Sequence, residues 1–128
     1  MSDLTFQAQA VDWKGLPAIA LKLGQGDSVL ISLQGAQVLS WVGRGQERLF
    51  LSPRASHDGK SAIRGGIPVC FPQFNQRGPL VKHGFARISH WQADAAQPSG
   101  EDGAQISLRL TDSEASRAVW PHAFEAVL

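Results

Sequence analysis

Two stretches of this 128-residue chain gather polar chemistry among glycines and prolines: Ile63-Arg64-Gly65-Gly66-Ile67-Pro68-Val69-Cys70-Phe71-Pro72-Gln73-Phe74, and Lys82-His83-Gly84-Phe85-Ala86-Arg87. In the first, Arg64 precedes a glycine pair that permits close backbone approach or positive φ, after which Pro68 and Pro72 hold the chain extended. A guanidinium in that setting can be held rigidly. In the second, His83 and Arg87 bracket Gly84-Phe85-Ala86, so an imidazole and a fixed cation arrive together just before regular patterning resumes. Arg64, Arg87 and Lys82 could converge on one anion, because Arg grips a phosphate through two parallel hydrogen bonds and Lys adds a point charge. Set against this, an Arg after a loop is usually a solvated surface charge, and a His near a strand start is more often structural. Residue type alone does not decide between the two.

Other chemistries find less support. Gly65-Gly66 does not match the Gly-x-x-x-x-Gly-Lys phosphate loop, and no helical pattern follows it, so a nucleotide-binding loop is rejected. His57, His83, His90 and His122 lack short metal-ligand spacings and Cys70 has no second cysteine, which predicts no metal site. Ser52, Ser56 and Ser61 lie near His57 and Asp58, yet the Gly-x-Ser-x-Gly elbow is absent. Trp13, Trp41, Trp91 and Trp120 fall in or beside strands, where core packing is expected of them, and Cys70 reads as a buried small hydrophobe.

The elements that must position these residues read as all-β. Apolar residues recur at period two, and nowhere do they hold helical spacing over a long window. A strand carried by Leu4, Phe6, Ala8 and Ala10 ends at Asp12 and the Lys14-Gly15 turn. Ile19, Leu21 and Leu23 form a second, joined through Gly24-Gln25-Gly26-Asp27 to Val29, Ile31 and Leu33 as an antiparallel hairpin. Apolar residues on both parities from Ala36 to Val42 predict a strand covered on both faces. From Ser52 to Ala86, prolines and glycines interrupt every run; only Ile67 to Phe71 is long enough for a short strand, and Pro68 confines it to an edge. So long an irregular stretch is costly to order without ladder hydrogen bonds, which marks it as the functional region. Alternation resumes over Arg87 to Ala93, passes a polar loop from Asp94 to Gly103, and returns at Ile106, Leu108 and Leu110. A helical turn at Asp112 to Arg117 and a last strand from His122 to Leu128 complete the reading, with no internal boundary or repeat.

Composition narrows the classes further. Twelve Lys plus Arg against eleven Asp plus Glu give a net charge of +1, too little excess for a sequence-independent nucleic-acid binder. No apolar run approaches the roughly 18 to 20 residues of a membrane-spanning helix. Met1-Ser2-Asp3-Leu4-Thr5 lacks a cationic start leading into an apolar stretch, and the single cysteine fits a reducing compartment, so a cytoplasmic location is expected.

The two motifs, with Gly78-Pro79 between them, resemble the glucose-6-phosphate 1-epimerases, also called D-hexose-6-phosphate mutarotases, of the aldose 1-epimerase superfamily. Gly35-Ala36-Gln37-Val38-Leu39-Ser40-Trp41, Leu49-Phe50-Leu51-Ser52, Trp91 and Trp120-Pro121-His122-Ala123-Phe124 match in order and approximate spacing, so the resemblance covers nearly the whole chain. It implies an antiparallel galactose-mutarotase-like β-sandwich (supersandwich), of which residues 1–128 form the N-terminal portion of one domain. It also implies interconversion of the α and β anomers of a hexose 6-phosphate without metal or organic cofactor. By the family pattern Arg64 and Arg87 bind substrate, at its phosphate; His83 binds or orients the sugar. Lys82 stands where the family often has an uncharged residue such as Gln, and adds a cation suited to phosphate. The family's catalytic His, a substrate-binding Asp and the catalytic Glu come from the half that would follow Leu128, so no catalytic residue is expected in this chain. His122 and Glu125 do not take those roles. The resemblance further implies contact with the missing C-terminal half or a second chain. Two alternatives are a non-catalytic carbohydrate-binding or regulatory module, which belongs to a different class, and a related aldose 1-epimerase acting on unphosphorylated sugar.

Overall fold

A computed structural model describes residues 6–128, and Leu4 and Thr5 of the first expected strand lie outside them. Five strands run in sequence order as one antiparallel sheet: β1 (Phe6–Trp13), β2 (Leu16–Leu23), β3 (Ser28–Ser32), β4 (Gln37–Gly43) and β5 (Gln46–Glu47). The expected hairpin forms, with Ile19 opposite Ile31 and Leu21 opposite Val29. Beyond the irregular stretch come a 3-10 turn at Ala86–Ile88, β6 (Gln92–Ala93), β7 (Gln97–Ser99), β8 (Gly103–Gln105), β9 (Leu108–Thr111), helix α1 (Glu114–Val119) and β10 (Glu125–Val127). β10, β9 and β6 form a second antiparallel sheet in that spatial order, and β7 pairs with β8 alone. The expected all-β, antiparallel architecture is the observed one.

Alternation along β3 and β4 sends neighbouring side chains to opposite faces, and each face finds a partner. On one side Ile31 joins Ala36, Phe85, Ala86, Trp91, Leu108 and Leu110 in the larger core, with Val29 and Val38 packed against it. This core ties the five-stranded sheet to the three-stranded one. On the other side Leu39 packs with Ala55 and Ile63, flanked by Trp13, Leu16, Leu30 and Leu51, beneath the irregular stretch. Trp91, 1% exposed, anchors the larger core and donates its indole N–H to the Ala86 carbonyl at 2.9 Å, as a buried indole must if its donor is to be paired.

Several local expectations are corrected. Ile67 to Phe71 is not a strand: only Ile67 bridges Val38, because Pro68 and Pro72 offer no N–H and a run cannot build a ladder without donors. Asp94 to Gly103 is not a plain loop but holds β7 and the turn of the β7–β8 hairpin, which ends at Gln105; the β7 residues Gln97, Pro98 and Ser99 are all exposed and so carry no apolar alternation. Arg87 to Ala93 is strand only at Gln92–Ala93, since Arg87 lies in the 3-10 turn. β4 is covered on both faces at Val38 and Leu39, yet open at Trp41, which is 46% exposed rather than core. Cys70 is half-buried rather than buried.

Candidate functional site

The Arg64 segment lies against the five-stranded sheet. Gly66 donates its N–H to the Phe50 carbonyl at 2.8 Å, Ile67 to Val38 at 2.9 Å, and Ser52 to the Arg64 carbonyl at 3.0 Å. Gly65 and Gly66 have φ of 111° and 63°, and a Cβ on Gly65 would stand 2.6 Å from the Phe50 carbonyl oxygen. Only glycine adopts those angles cheaply and admits that approach. A third support comes from beneath: Gln37, fully buried, donates its side-chain Nε2 to the carbonyls of Ile63 at 2.8 Å and Gly65 at 2.6 Å. Arg64 is thus bracketed on both sides by one buried amide, and its own side chain is exposed.

The second motif is stitched to the first at Phe71. The Phe71 N–H donates to the His83 carbonyl at 3.2 Å, and the Phe71 carbonyl accepts from Ala86 N at 3.1 Å. Gly84 fits between them with φ 76°, where any Cβ would collide with the Phe71 carbonyl. The 3-10 turn is pinned in its turn: Ser89 Oγ donates to the Phe85 carbonyl at 2.7 Å, and Gly35 at the β3–β4 connection donates its N–H to the Ser89 carbonyl at 2.8 Å.

Lys82, His83 and Arg87 come together on this platform. Arg87 Nη2 donates to the Lys82 carbonyl at 3.0 Å, so it is the backbone of Lys82 that holds the guanidinium, while the Lys82 side chain is exposed. Arg87 Nε is buried without an acceptor among the described residues. His83 takes φ 67°, a left-handed conformation costing about 1–2 kcal/mol for a residue with a Cβ. Its Nδ1 accepts the Asn75 N–H at 2.9 Å, its own N–H donates to the Asn75 carbonyl at 2.9 Å, and its ring lies 5.2 Å from that of exposed Phe74. Partial burial lowers the His83 pKa from its ordinary value, and the positive charges of Arg87 and Lys82 lower it further. This shift favours the neutral imidazole, and because Nδ1 accepts the Asn75 N–H, that neutral ring carries its proton on Nε2. Among the described residues no hydrogen bond or ion pair joins Arg64 to this trio; the two motifs meet through backbone at Phe71.

Sequence reasoning gave no role to the amides that build the site. Gln37 and Gln73 were legible only as motif letters. The signal that marks both is a buried Gln whose amide binds backbone carbonyls of a loop. A charge signal was also present: from Ser52 to Arg87 there are six Lys and Arg against one acid, Asp58, whereas the rest of the chain carries six against ten. The near-neutral total conceals a strongly basic irregular stretch. A cavity of about 460 Å³ lies elsewhere, between α1 and β9, and contains none of the four candidates. Its charges are already matched, Arg109 by Asp94 and Glu125, and Asp112 by Arg117. The loop cluster, whose cations meet no carboxylate among the described residues, is the better candidate for an anion site. No group of three His, Cys, Asp or Glu suited to a metal ion occurs among the described residues.

An antiparallel β-sandwich that displays cations and an oriented imidazole from loops over one sheet has the build of the mutarotase-fold sugar enzymes, and comparison with known proteins agrees. A crystal structure titled a "putative mutarotase (YeaD)" from Salmonella typhimurium superposes with a TM-score of 0.83 at 33% identity, over 94% of this chain and 41% of that one. The structure of HI1317 superposes with a TM-score of 0.69 at 32% identity, over 91% of this chain and 42% of that one. The aldose 1-epimerase family model matches residues 17–128, and the chain belongs to that family. A Cenchrus ciliaris protein named "putative glucose-6-phosphate 1-epimerase" is 40% identical over 116 residues, 87% of this chain and 35% of its own length. An Escherichia coli (strain K12) protein of the same name is 42% identical over 97 residues, 73% of this chain and 32% of its own. The chain spans about a third of the length of the curated relatives it matches. No helix among the described residues is long and apolar enough to cross a membrane.

Proposed function

We propose that this chain supplies the phosphate- and sugar-binding part of an enzyme that interconverts the α and β anomers of a hexose 6-phosphate. The observation that carries the reading is the cluster of Lys82, His83 and Arg87, held by backbone hydrogen bonds on a stretch of strongly positive charge. Arg64 and Arg87 would grip the phosphate, Lys82 would add charge, and the Nε2–H of His83 would donate to a sugar oxygen. In this reaction a base takes the C1 hydroxyl proton while an acid protonates the ring oxygen; the ring opens to the aldehyde, C1 turns, and the ring closes on its other face. Among the described residues near this cluster none is assigned as that acid or base; in this reading both belong to the part of the mutarotase-like domain that the family places after these motifs. No metal or organic cofactor is required by the chemistry.

Titration of this chain with glucose 6-phosphate and with glucose, followed by NMR, tests the reading together with exchange spectroscopy of the two anomers. Preferential binding of the phosphorylated sugar, weakened by Arg64→Ala and by Arg87→Ala, is expected, without anomer exchange. Equal binding of both sugars, or indifference to both substitutions, would overturn the phosphate assignment; anomer exchange by this chain would overturn the placement of the acid and base.

A further inference from the structure

We propose that Gln73 is a positioning residue that, acting through the backbone of Asn75, locks His83 in the Nε2–H tautomer and so makes it a hydrogen-bond donor toward a sugar oxygen. The donor role rests on reading His83 as a sugar contact; the lock does not. Gln73 is 8% exposed, in a segment where most neighbours are exposed. Its Nε2 donates to the carbonyls of Asn75 at 2.8 Å and Leu80 at 3.2 Å, while its Oε1 accepts from Leu80 N at 2.9 Å. One buried side chain therefore closes the loop between Asn75 and Leu80, and its donor and acceptor are both used, as burial requires.

The loop's geometry passes to His83 at Asn75. With φ 51°, Asn75 points its N–H at His83 Nδ1 and its carbonyl at the His83 N–H, both at 2.9 Å, and the same carbonyl receives Gln73. A ring nitrogen that accepts a hydrogen bond carries no proton, so the proton of the neutral imidazole sits on Nε2. A hydroxyl or a water could reverse its role and admit the other tautomer. A backbone N–H cannot, so the lock holds for as long as the loop keeps its shape. His83's own left-handed conformation is held from both sides by these bonds, consistent with a side chain whose direction is specified.

The test uses ¹⁵N NMR of the full chain, with His83 assigned through His83→Asn. Wild-type protein is expected to show a scalar coupling across the Asn75 N–H···Nδ1 bond, a pyridine-type Nδ1 and a pyrrole-type Nε2. Gln73→Met, which keeps the volume and removes the amide, is expected to abolish the coupling and shift both nitrogens toward averaged values. The buried Trp91 indole N–H reports whether the fold survives. Should Gln73→Met unfold, Gly78→Ala serves instead, because its Cβ would lie 2.5 Å from Gln73 Oε1 and displace only that side chain. A protonated Nδ1 in the wild type, or a coupling that persists in the variant, overturns the lock. Saturating glucose 6-phosphate is expected to move the Nε2–H resonance; a lock that is intact but blind to the ligand overturns the donor role and the reading of His83 as a sugar contact.

Discussion

Arg87 shows how much of a side chain's behaviour is fixed by one backbone atom. Its guanidinium is tied to the Lys82 carbonyl at 3.0 Å, which restricts the side chain and, in the proposed role, reduces the entropy lost on binding an anion. Removing a charge-assisted contact of this kind costs about 1.5–3 kcal/mol. Arg87→Ala is therefore expected to weaken glucose 6-phosphate binding roughly 10- to 100-fold, measured by NMR titration, with Arg87→Lys recovering little because an ammonium lacks the planar fork. His83 gives a prediction of opposite character. Its folded pKa lies below the unfolded value, through partial burial first and then the charges of Arg87 and Lys82. The unfolded chain thus binds the His83 proton more readily, so native stability is undiminished above the unfolded pKa of about 6.5 and falls as the pH drops below it. Protonation also places a proton on Nδ1, against the Asn75 N–H. Urea unfolding at pH 7.5 and 5.5 is expected to show a larger loss for the wild type than for His83→Asn, a residue that tolerates positive φ. Equal losses would place the proton-linked destabilisation elsewhere.

The irregular stretch from Ser52 to Arg87 stands in for an element, and buried amides do the work that ladders do in a strand. Gln37 satisfies the carbonyls flanking Arg64, and Gln73 closes the loop that leads to His83. Gln37→Met is expected to leave those two carbonyls without their donor and to lower stability by about 2 kcal/mol in urea melts; a change below about 0.5 kcal/mol would show that Gln37 carries no strain from the loop. This is also where the sequence was readable and where it was not. Alternation at Ile19, Leu21, Val29 and Ile31 revealed the β2–β3 hairpin because one buried face writes a period of two. Arg64, His83 and Arg87 stood out because glycines and prolines surround them. The β7–β8 hairpin was invisible, since β7 is exposed on both faces and β8 is only three residues long, so neither carries a period, and the 3-10 turn at Ala86–Ile88 was masked by the apolar residues around it. The roles of Gln37 and Gln73 depend on carbonyls 26 to 28 positions and 2 to 8 positions away, and a polar letter in a motif does not announce that its side chain is buried.

At the scale of the whole molecule, charge is segregated. The stretch from Ser52 to Arg87 carries six cations and one acid, while the remaining residues carry ten acids and six cations, and the near-zero total hides the division. Asp58, the single acid, is itself committed: its carboxylate accepts the N–H groups of Ser61 and Lys60, both at 2.8 Å, which hold its pKa down at about 2. It remains charged and turned toward its own loop. A basic surface of this kind raises the local concentration of anions and accelerates their capture, and the effect is screened by salt. The Debye length falls from about 30 Å at 0.01 M ionic strength to about 8 Å at 0.15 M, so cations remote from the phosphate act only at low salt. Affinity for glucose 6-phosphate should decline several-fold over that range, with glucose affinity unchanged. Arg54→Glu combined with Lys60→Glu, at two exposed positions outside the clamped cluster, is expected to weaken glucose 6-phosphate binding at 0.01 M and to leave it near wild type at 0.15 M. A penalty equal at both salt concentrations would mean that one of these residues touches the ligand directly; no penalty at either would mean that the clamped cluster alone, rather than the basic stretch, sets the preference for an anion.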